Sequence, residues 1–491
     1  MYKPLIITKK LFDRLNDLKI VYCHWKSNEH LLEGLAGETD LDVLFEYRQR
    51  KKVREILTDC GYIRAVPQFG SRYRFVEDWI GFDDETGKLI HIHLHYRMIT
   101  GHQGMKEYDL PWTRLALKTR IFDETYNVYI CEPSLELVIL HSRIGLKATD
   151  ATLSSAAKGK YELSESDLKE MQYLKERVDW EKVDVILKES FPKGCDVLTE
   201  IVRNESYDPE WYTKLAGCVA KDLECCSSEH GFAKKVKQKF YYYTLRVRNL
   251  INRLTGTRFM TKKSLGRNKG VIIAFIGQDG AGKSTVTTEV KKWLEWKLDV
   301  RKYYLGSGDN YNSLAKRICS VLDGKGGLLG LVRKVLSIMD LRKLSGYVLK
   351  NTRKAESYSQ AGGIVIFDRY PQVEFPGIND GPKIRTSLEN KSYPTSLKKI
   401  LYSLADAEER NYRKAIECKP DLVFKLILPP EVSIERKPEE SLENVTRKHE
   451  IIKSLKFEDS EVVTINATMD FDEELKLIHR TVWKCIEAKR K

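Results

Sequence analysis

The run VIIAFIGQDGAGKST, residues 271–285, constrains the fold of this chain more than any other stretch. Its first six residues are apolar and rich in β-branched side chains, as in a parallel strand buried on both faces. Gly277-Gln278-Asp279-Gly280-Ala281-Gly282-Lys283-Ser284 then fits the spacing G-x-x-x-x-G-K-[ST], with Thr285 directly after it. A helix-like segment, TVTTEVKKWLEWKL, follows at once. Glycines at 277, 280 and 282 let backbone N–H groups wrap a phosphate with no Cβ in the way. Lys283 can reach the β- and γ-phosphates of a nucleoside triphosphate, and the Ser284 hydroxyl can ligate Mg2+. A chance glycine-rich turn would need neither the strand before it nor the helix after it. The pattern therefore predicts a parallel α/β sheet from residue 270 onward, with a nucleoside triphosphate and Mg2+ as cofactors.

Three further strands follow in this half. GGIVIFDRY ends in Asp368-Arg369-Tyr370. An acid at the carboxyl end of a strand beside the phosphate loop can hold Mg2+, and Arg369 can grip an acceptor phosphate through two parallel bonds. The alternative is an ion pair at the strand end. PDLVFKLILP precedes a charged segment with two basic pairs, Arg436-Lys437 and Arg447-Lys448. Such a segment reads either as a mobile lid that closes over the transferring phosphoryl group or as a solvated helix. EVVTINAT and a terminal helix complete the alternation.

In order and spacing, GQDGAGKST, the strand ending in DRY, the Pro420-Asp421 strand entry, the Arg-bearing lid and INAT make residues 268–491 resemble the thymidylate kinase branch of the P-loop nucleoside monophosphate kinases. That resemblance implies a three-layer P-loop fold and ATP at the glycine loop. It implies a catalytic arginine at Arg436 or Arg447, since Asp279 matches an acid the family often carries. It sets Asn466 and Ala467 near adenine. The chain departs from the family pattern after Asp-Arg-Tyr, where it reads Pro371-Gln372-Val373-Glu374-Phe375. It departs again in the added segment GINDGPKIRTSLENKSYP, and at YLGSGDNY, where the family has another acceptor loop. These departures resemble thymidylate kinase-like proteins of bacterial surface-polysaccharide loci. The acceptor is then a dTMP-like nucleotide, a sugar or a lipid-linked glycan.

Residues 1–148 mix short strands with helices. In HWKSNEHLLEGLAGETDLDVLF, Asp40 and Asp42 stand two apart, which on a strand puts both carboxylates on one face. Two acids after the Ser-bearing turn Lys26-Ser27 suit two-metal nucleotidyl transfer. The segment resembles the nucleotidyltransferase fold, whose pattern is Gly-Ser, Asp-x-Asp and a third acid on a later strand. Here that strand is LIHIHLHYR, and His93 stands where the acid is expected. His95 and the helix EPSLELVILHSRIGLK, with His141, fit a subfamily of that fold. The competing expectation is a binding module that keeps Asp40 and Asp42 without catalysis.

The chain of 491 residues is 42% hydrophobic, enough for two or three cores. The expected order is a nucleotidyltransferase-like domain at 1–148, a helical extension at 149–232, a basic linker helix at 233–269 and the P-loop domain at 270–491. The net charge of +14 is concentrated: residues 234–269 hold twelve Lys and Arg and no acid. The rest is nearly balanced, so the surplus does not argue for a nucleic-acid partner. That stretch reads as a solvated linker, a peripheral anchor on an anionic membrane or a polyphosphate binder. A second basic amphipathic run, 328–350, is either core-packed or a platform for a large amphiphilic acceptor. Ten scattered cysteines without a CxxC pair, and no apolar run long enough to span a bilayer, predict a cytoplasmic protein, at most peripheral on a membrane. The leading function is ATP-dependent phosphoryl transfer to a phosphate or hydroxyl acceptor. The alternative is an ATP-binding regulatory or scaffold protein.

Overall fold

The computed structural model describes residues 2–490 except 69–70, 103, 256–260, 307–313, 325, 379, 391–392, 437 and 439–440. The chain divides into two compact units, residues 1–261 and 262–491.

The first unit is built on a seven-stranded mixed sheet. Its strands are β1 (Tyr22–His24), β2 (Leu41–Phe45), β3 (Ile63–Ala65), β4 (Val76–Phe82) and β5 (Leu89–His95). A small hairpin of β6 (Ile99–Thr100) and β7 (Tyr108–Asp109) stands apart, and β8 (Ile121–Asp123) and β9 (Val128–Ile130) complete the sheet. The spatial order is β3-β4-β5-β2-β1-β9-β8. β2 runs parallel to β5 with Asp42 opposite His93, and antiparallel to β1. One core gathers Leu11, Phe12 and Leu15 of the helix Ile6–Asp17 and Val53, Ile56 and Leu57 of the helix Arg50–Asp59 with Val43 and Ile92. A second core joins Cys23, Trp25 and Leu44 to the helix Pro133–Leu146 and to Met171, Leu187, Leu198 and Trp211 further on. The segment expected as a helical extension thus shares a core with the strands.

The second unit carries a five-stranded, wholly parallel sheet. Its strands are β10 (Val271–Gly277), β11 (Val300–Tyr304), β12 (Ile364–Asp368), β13 (Leu422–Ile427) and β14 (Glu461–Asn466), in the order β11-β12-β10-β13-β14. Every residue from Val271 to Ile276 and from Ile364 to Asp368 is buried, so helices cover both faces of the sheet. This is a mixed α/β fold with β10 at its centre. Lys262 N–H donates to Asp299 and Leu265 N–H to the Gly362 carbonyl. The unit therefore begins ahead of residue 270, inside the expected linker. The basic helix itself spans Gly231–Thr255. The run 328–350 lies in the helix Gly327–Gln360, where Ile338 packs with Leu401 and Ala405 of the helix Thr395–Ala415. Its Leu328, Leu329 and Met339 are exposed.

Candidate active site of the second unit and a polar cluster in the first

β10 and β12 are neighbours, and both end at the same edge of the sheet. Phe275 lies opposite Asp368, so the chain leaving β10 passes beside that carboxylate. Gly277 closes β10 because a Cβ there would come 2.5 Å from the Leu426 carbonyl oxygen of β13. Gly280 and Gly282 take positive φ, 85° and 78°, which turns the loop into the helix Lys283–Leu294. The helix thus presents its N-terminus at the sheet edge.

Lys283 is buried and its ammonium donates to the carbonyls of Gly277 and Gln278, at 2.9 and 2.6 Å. Burial, reinforced by the Arg369 charge, pushes its pKa down to about 8. Ser284 Oγ donates to Asp368 Oδ2 at 2.9 Å, and the Lys302 ammonium stands 3.3 Å from the same oxygen. Asp368 Oδ1 is buried with no hydrogen-bond partner among the described residues. A hard divalent cation finds oxygen donors of the right kind in Ser284 and Asp368. Thr285 is exposed on the first helical turn.

Arg369 has a positive φ of 73°, and its guanidinium meets two carboxylates. It donates to Asp279 at 2.8 Å and lies 3.5 Å from both oxygens of Asp380. Burial alone would raise the Asp279 carboxyl, but Arg369 and Lys283 outweigh it and hold it well below the usual range. Arg436 ends the helix Pro430–Arg436 and donates to the Gly280 carbonyl at 3.0 Å. Arg447 is exposed on the helix Leu442–Ser454, and its neighbour Lys448 lies 3.4 Å from Asp279. Lys437, the partner of Arg436 in its basic pair, lies outside the described residues, as do residues 307–311 of YLGSGDNY. Asn466 ends β14 and caps Thr468, and Ala467 is buried behind it. Both stand on the far side of β13 from the loop.

Lys302, Lys448 and Asp380 were not legible as site residues. Lys448 was visible only as half of a basic pair. Asp380 lies in the very segment that departs from the family pattern.

In the first unit the two acids take different partners on β5. Asp40 precedes β2 and stands 2.8 Å from His91, whose other nitrogen lies 2.9 Å from Asp78. Asp42 Oδ1 meets His93 at 3.1 Å, His95 at 3.2 Å and the Lys26 ammonium at 3.1 Å. Burial would raise the Asp42 carboxyl, yet Lys26 and the two histidines hold it well below the usual range. Asp42, His93 and His95 offer ligand atoms within 4.8 Å of one another, a spacing that a metal could use. The adjoining turn is occupied from within the chain. Ser27 donates to Glu170 through its N–H at 3.0 Å and its hydroxyl at 3.3 Å, and Asn28 N–H donates to Glu136 at 3.1 Å. Arg143 pairs with Glu170 at 3.0 Å. His141 is buried and bonds the Leu137 carbonyl in its own helix.

No family model matches the chain. A protein of Escherichia coli (strain K12) named Uncharacterized ATP-binding protein YghR is 26% identical over 230 residues, covering 43% of this chain and 86% of that protein. Uncharacterized ATP-binding protein YghS of the same strain is 25% identical over 232 residues, covering 43% of this chain and 92% of that protein. Among solved structures, deoxyadenosine kinase from M. mycoides with bound dATP aligns at 19% identity and a TM-score of 0.28, covering 43% of this chain and 98% of that one. Its complex with dCTP gives 18% identity and a TM-score of 0.27 over the same shares.

Proposed function

We propose that the second unit binds Mg-ATP at residues 277–285 and transfers its γ-phosphoryl group to a phosphate or hydroxyl acceptor beside Arg369. One observation carries this reading: Lys283, Ser284 and Asp368 converge where β10 and β12 end, with Asp368 Oδ1 buried and unpartnered among the described residues. The ATP-binding relatives support the nucleotide half of it. Lys283 leaves its two carbonyls to pair with the β- and γ-phosphates. Ser284 and Asp368 would hold Mg2+, which when bound would offset charge on those phosphates. Arg436 stabilises charge as the phosphoryl group moves, and Arg369 orients the acceptor. Asn466 and Ala467 border the adenine.

The test is calorimetric titration with Mg-ATP. Lys283→Ala is expected to weaken binding about a hundredfold or more, as loss of a buried ion pair to phosphate should. Equal binding by parent and variant would sink the proposal.

For the first unit a binding module is favoured over nucleotidyl transfer. The Lys26 ammonium already neutralises Asp42 at 3.1 Å, and Asp40 turns to His91. The exposed Val236, Phe240, Val247 and Leu250 of the basic helix support peripheral contact of a cytoplasmic protein with an anionic membrane. Among the described residues no helix is long and apolar enough to cross one.

A further inference from the structure

We propose that the acceptor is an uncharged hydroxyl compound and not a phosphate ester, because Asp380 holds the place at Arg369 that an acceptor phosphate would take. The inference rests on the kinase reading above and narrows it.

Arg369 is the residue expected to grip an acceptor phosphate, and its guanidinium already serves two carboxylates, Asp279 and Asp380. The lane it occupies is built for it: a Cβ on Gly306 would come 2.4 Å from Arg369 Cδ. The loop that brings Asp380 there is built too. Gln372 is buried, donates to the Phe375 and Ile378 carbonyls at 2.8 and 2.7 Å, and accepts from Phe375 N–H at 2.8 Å. Gly377 N–H closes the turn on the Pro382 carbonyl at 2.7 Å. Just beyond, Lys383 and Ile384 N–H groups are tied to the buried Glu408 carboxylate. These bonds hold the described residues on either side of Asp380.

The acids around the transfer point each have a cation of their own. Lys302 faces Asp368, and Lys448 faces Asp279. A phosphate ester would bring close to two negative charges against Asp279, Asp368 and Asp380, with both terminal nitrogens of Arg369 already facing carboxylates. An alcohol meets no such repulsion and finds acceptors for its proton. Asp279 stands 2.8 Å from Arg369 and Asp380 3.5 Å, so the Asp380 carboxylate keeps lone pairs that can accept from a hydroxyl while it stays at Arg369. In the transfer the acceptor oxygen forms a bond to the γ-phosphorus as the bond from that phosphorus to the bridging oxygen of ADP breaks. The hydroxyl proton passes to the Asp380 carboxylate.

The experiment uses the full chain, with Mg-ATP binding measured first, so that loss of the kinase reading is seen separately. The protein loaded with a non-hydrolysable ATP analogue and Mg2+ is then titrated with inorganic phosphate. The parent is expected to bind it weakly. Asp380→Asn, equal in shape but neutral, is expected to bind it about tenfold tighter or more, beyond any change in its Mg-ATP affinity measured in the same way. Asp380→Ala is read in the same way should the Asn variant fold poorly. ADP release is followed in parallel with matched pairs, nucleosides against their 5′-monophosphates and free sugars against sugar phosphates. Preference for the hydroxyl member, and a fall in kcat of about tenfold or more in Asp380→Asn, support the proposal. Phosphate binding that the Asp380 substitutions leave unchanged, or turnover of a phosphate ester above its hydroxyl partner, overturns it.

Discussion

Lys283 shows at one residue how burial and function oppose each other. Its ammonium is almost wholly buried and must stay charged to meet a triphosphate, yet burial and Arg369 bring its pKa down to about 8. A lysine whose folded pKa lies below its ordinary value of 10.5 weakens folding while charged, and that cost is relieved as pH rises from about 8 toward 10.5. Nucleotide binding runs the other way, since only the charged form pairs with phosphate. Mg-ATP affinity is therefore expected to fall by about tenfold per pH unit above pH ~8, with proton uptake on binding. Titration in two buffers of different ionisation enthalpy reads that uptake directly, and affinity flat to pH 9.5 would contradict the assignment. Lys283, Ser284 and Asp368 are expected together from the chain because spacing, chemistry and local structure coincide there, and Ser284 does meet Asp368. Lys302 and Asp380 belong to no motif whose spacing marks them.

Elements set tolerance more tightly than single contacts do. β10 is flanked on both sides by parallel strands, and a Cβ on Gly277 would stand 2.5 Å from the Leu426 carbonyl oxygen of β13. Gly277→Ala puts a methyl against a backbone carbonyl, which cannot swing away as a side chain can. The expected loss is about 1–3 kcal/mol of stability in urea unfolding, together with nucleotide binding. The helix Gly231–Thr255 raises a different issue. Val236, Phe240, Tyr243, Val247 and Leu250 recur at steps of three and four and are exposed. Lys235, Lys239 and Arg246 are exposed with them. Two copies of so basic a helix repel, whereas an anionic bilayer attracts at about 1 kcal/mol per basic residue. Co-sedimentation with phosphatidylserine vesicles that fades with salt, and none with phosphatidylcholine alone, is the expected result.

At the scale of the whole molecule, the two units have separate cores and should melt as separate transitions. Glu29 is pushed up to about 8 by burial and by the neighbouring Glu170, and Glu136 is raised by the same causes. A carboxyl whose folded pKa exceeds its unfolded value stabilises fully below the unfolded value and loses that contribution as pH rises toward the folded one. The first unit should therefore lose stability between about pH 4.5 and 8. Mg-ATP at a hundred times its Kd should instead stabilise the second unit alone, by about 2.7 kcal/mol. Scanning calorimetry at pH 5.5 and 8, with and without nucleotide, separates the two effects, and a single transition moved by both would refute the division. What the sequence determined by itself was local: a phosphate loop between a strand and a helix, an acid at a strand end, and an α/β fold. These follow from short-range spacing and backbone geometry. Only the tertiary structure decided that Asp380 answers Arg369, that Asp40 and Asp42 take different partners, and that Glu136 and Glu170 fill the Ser27 turn. Each of those is a contact between separate segments, and no periodicity records which polar groups will meet.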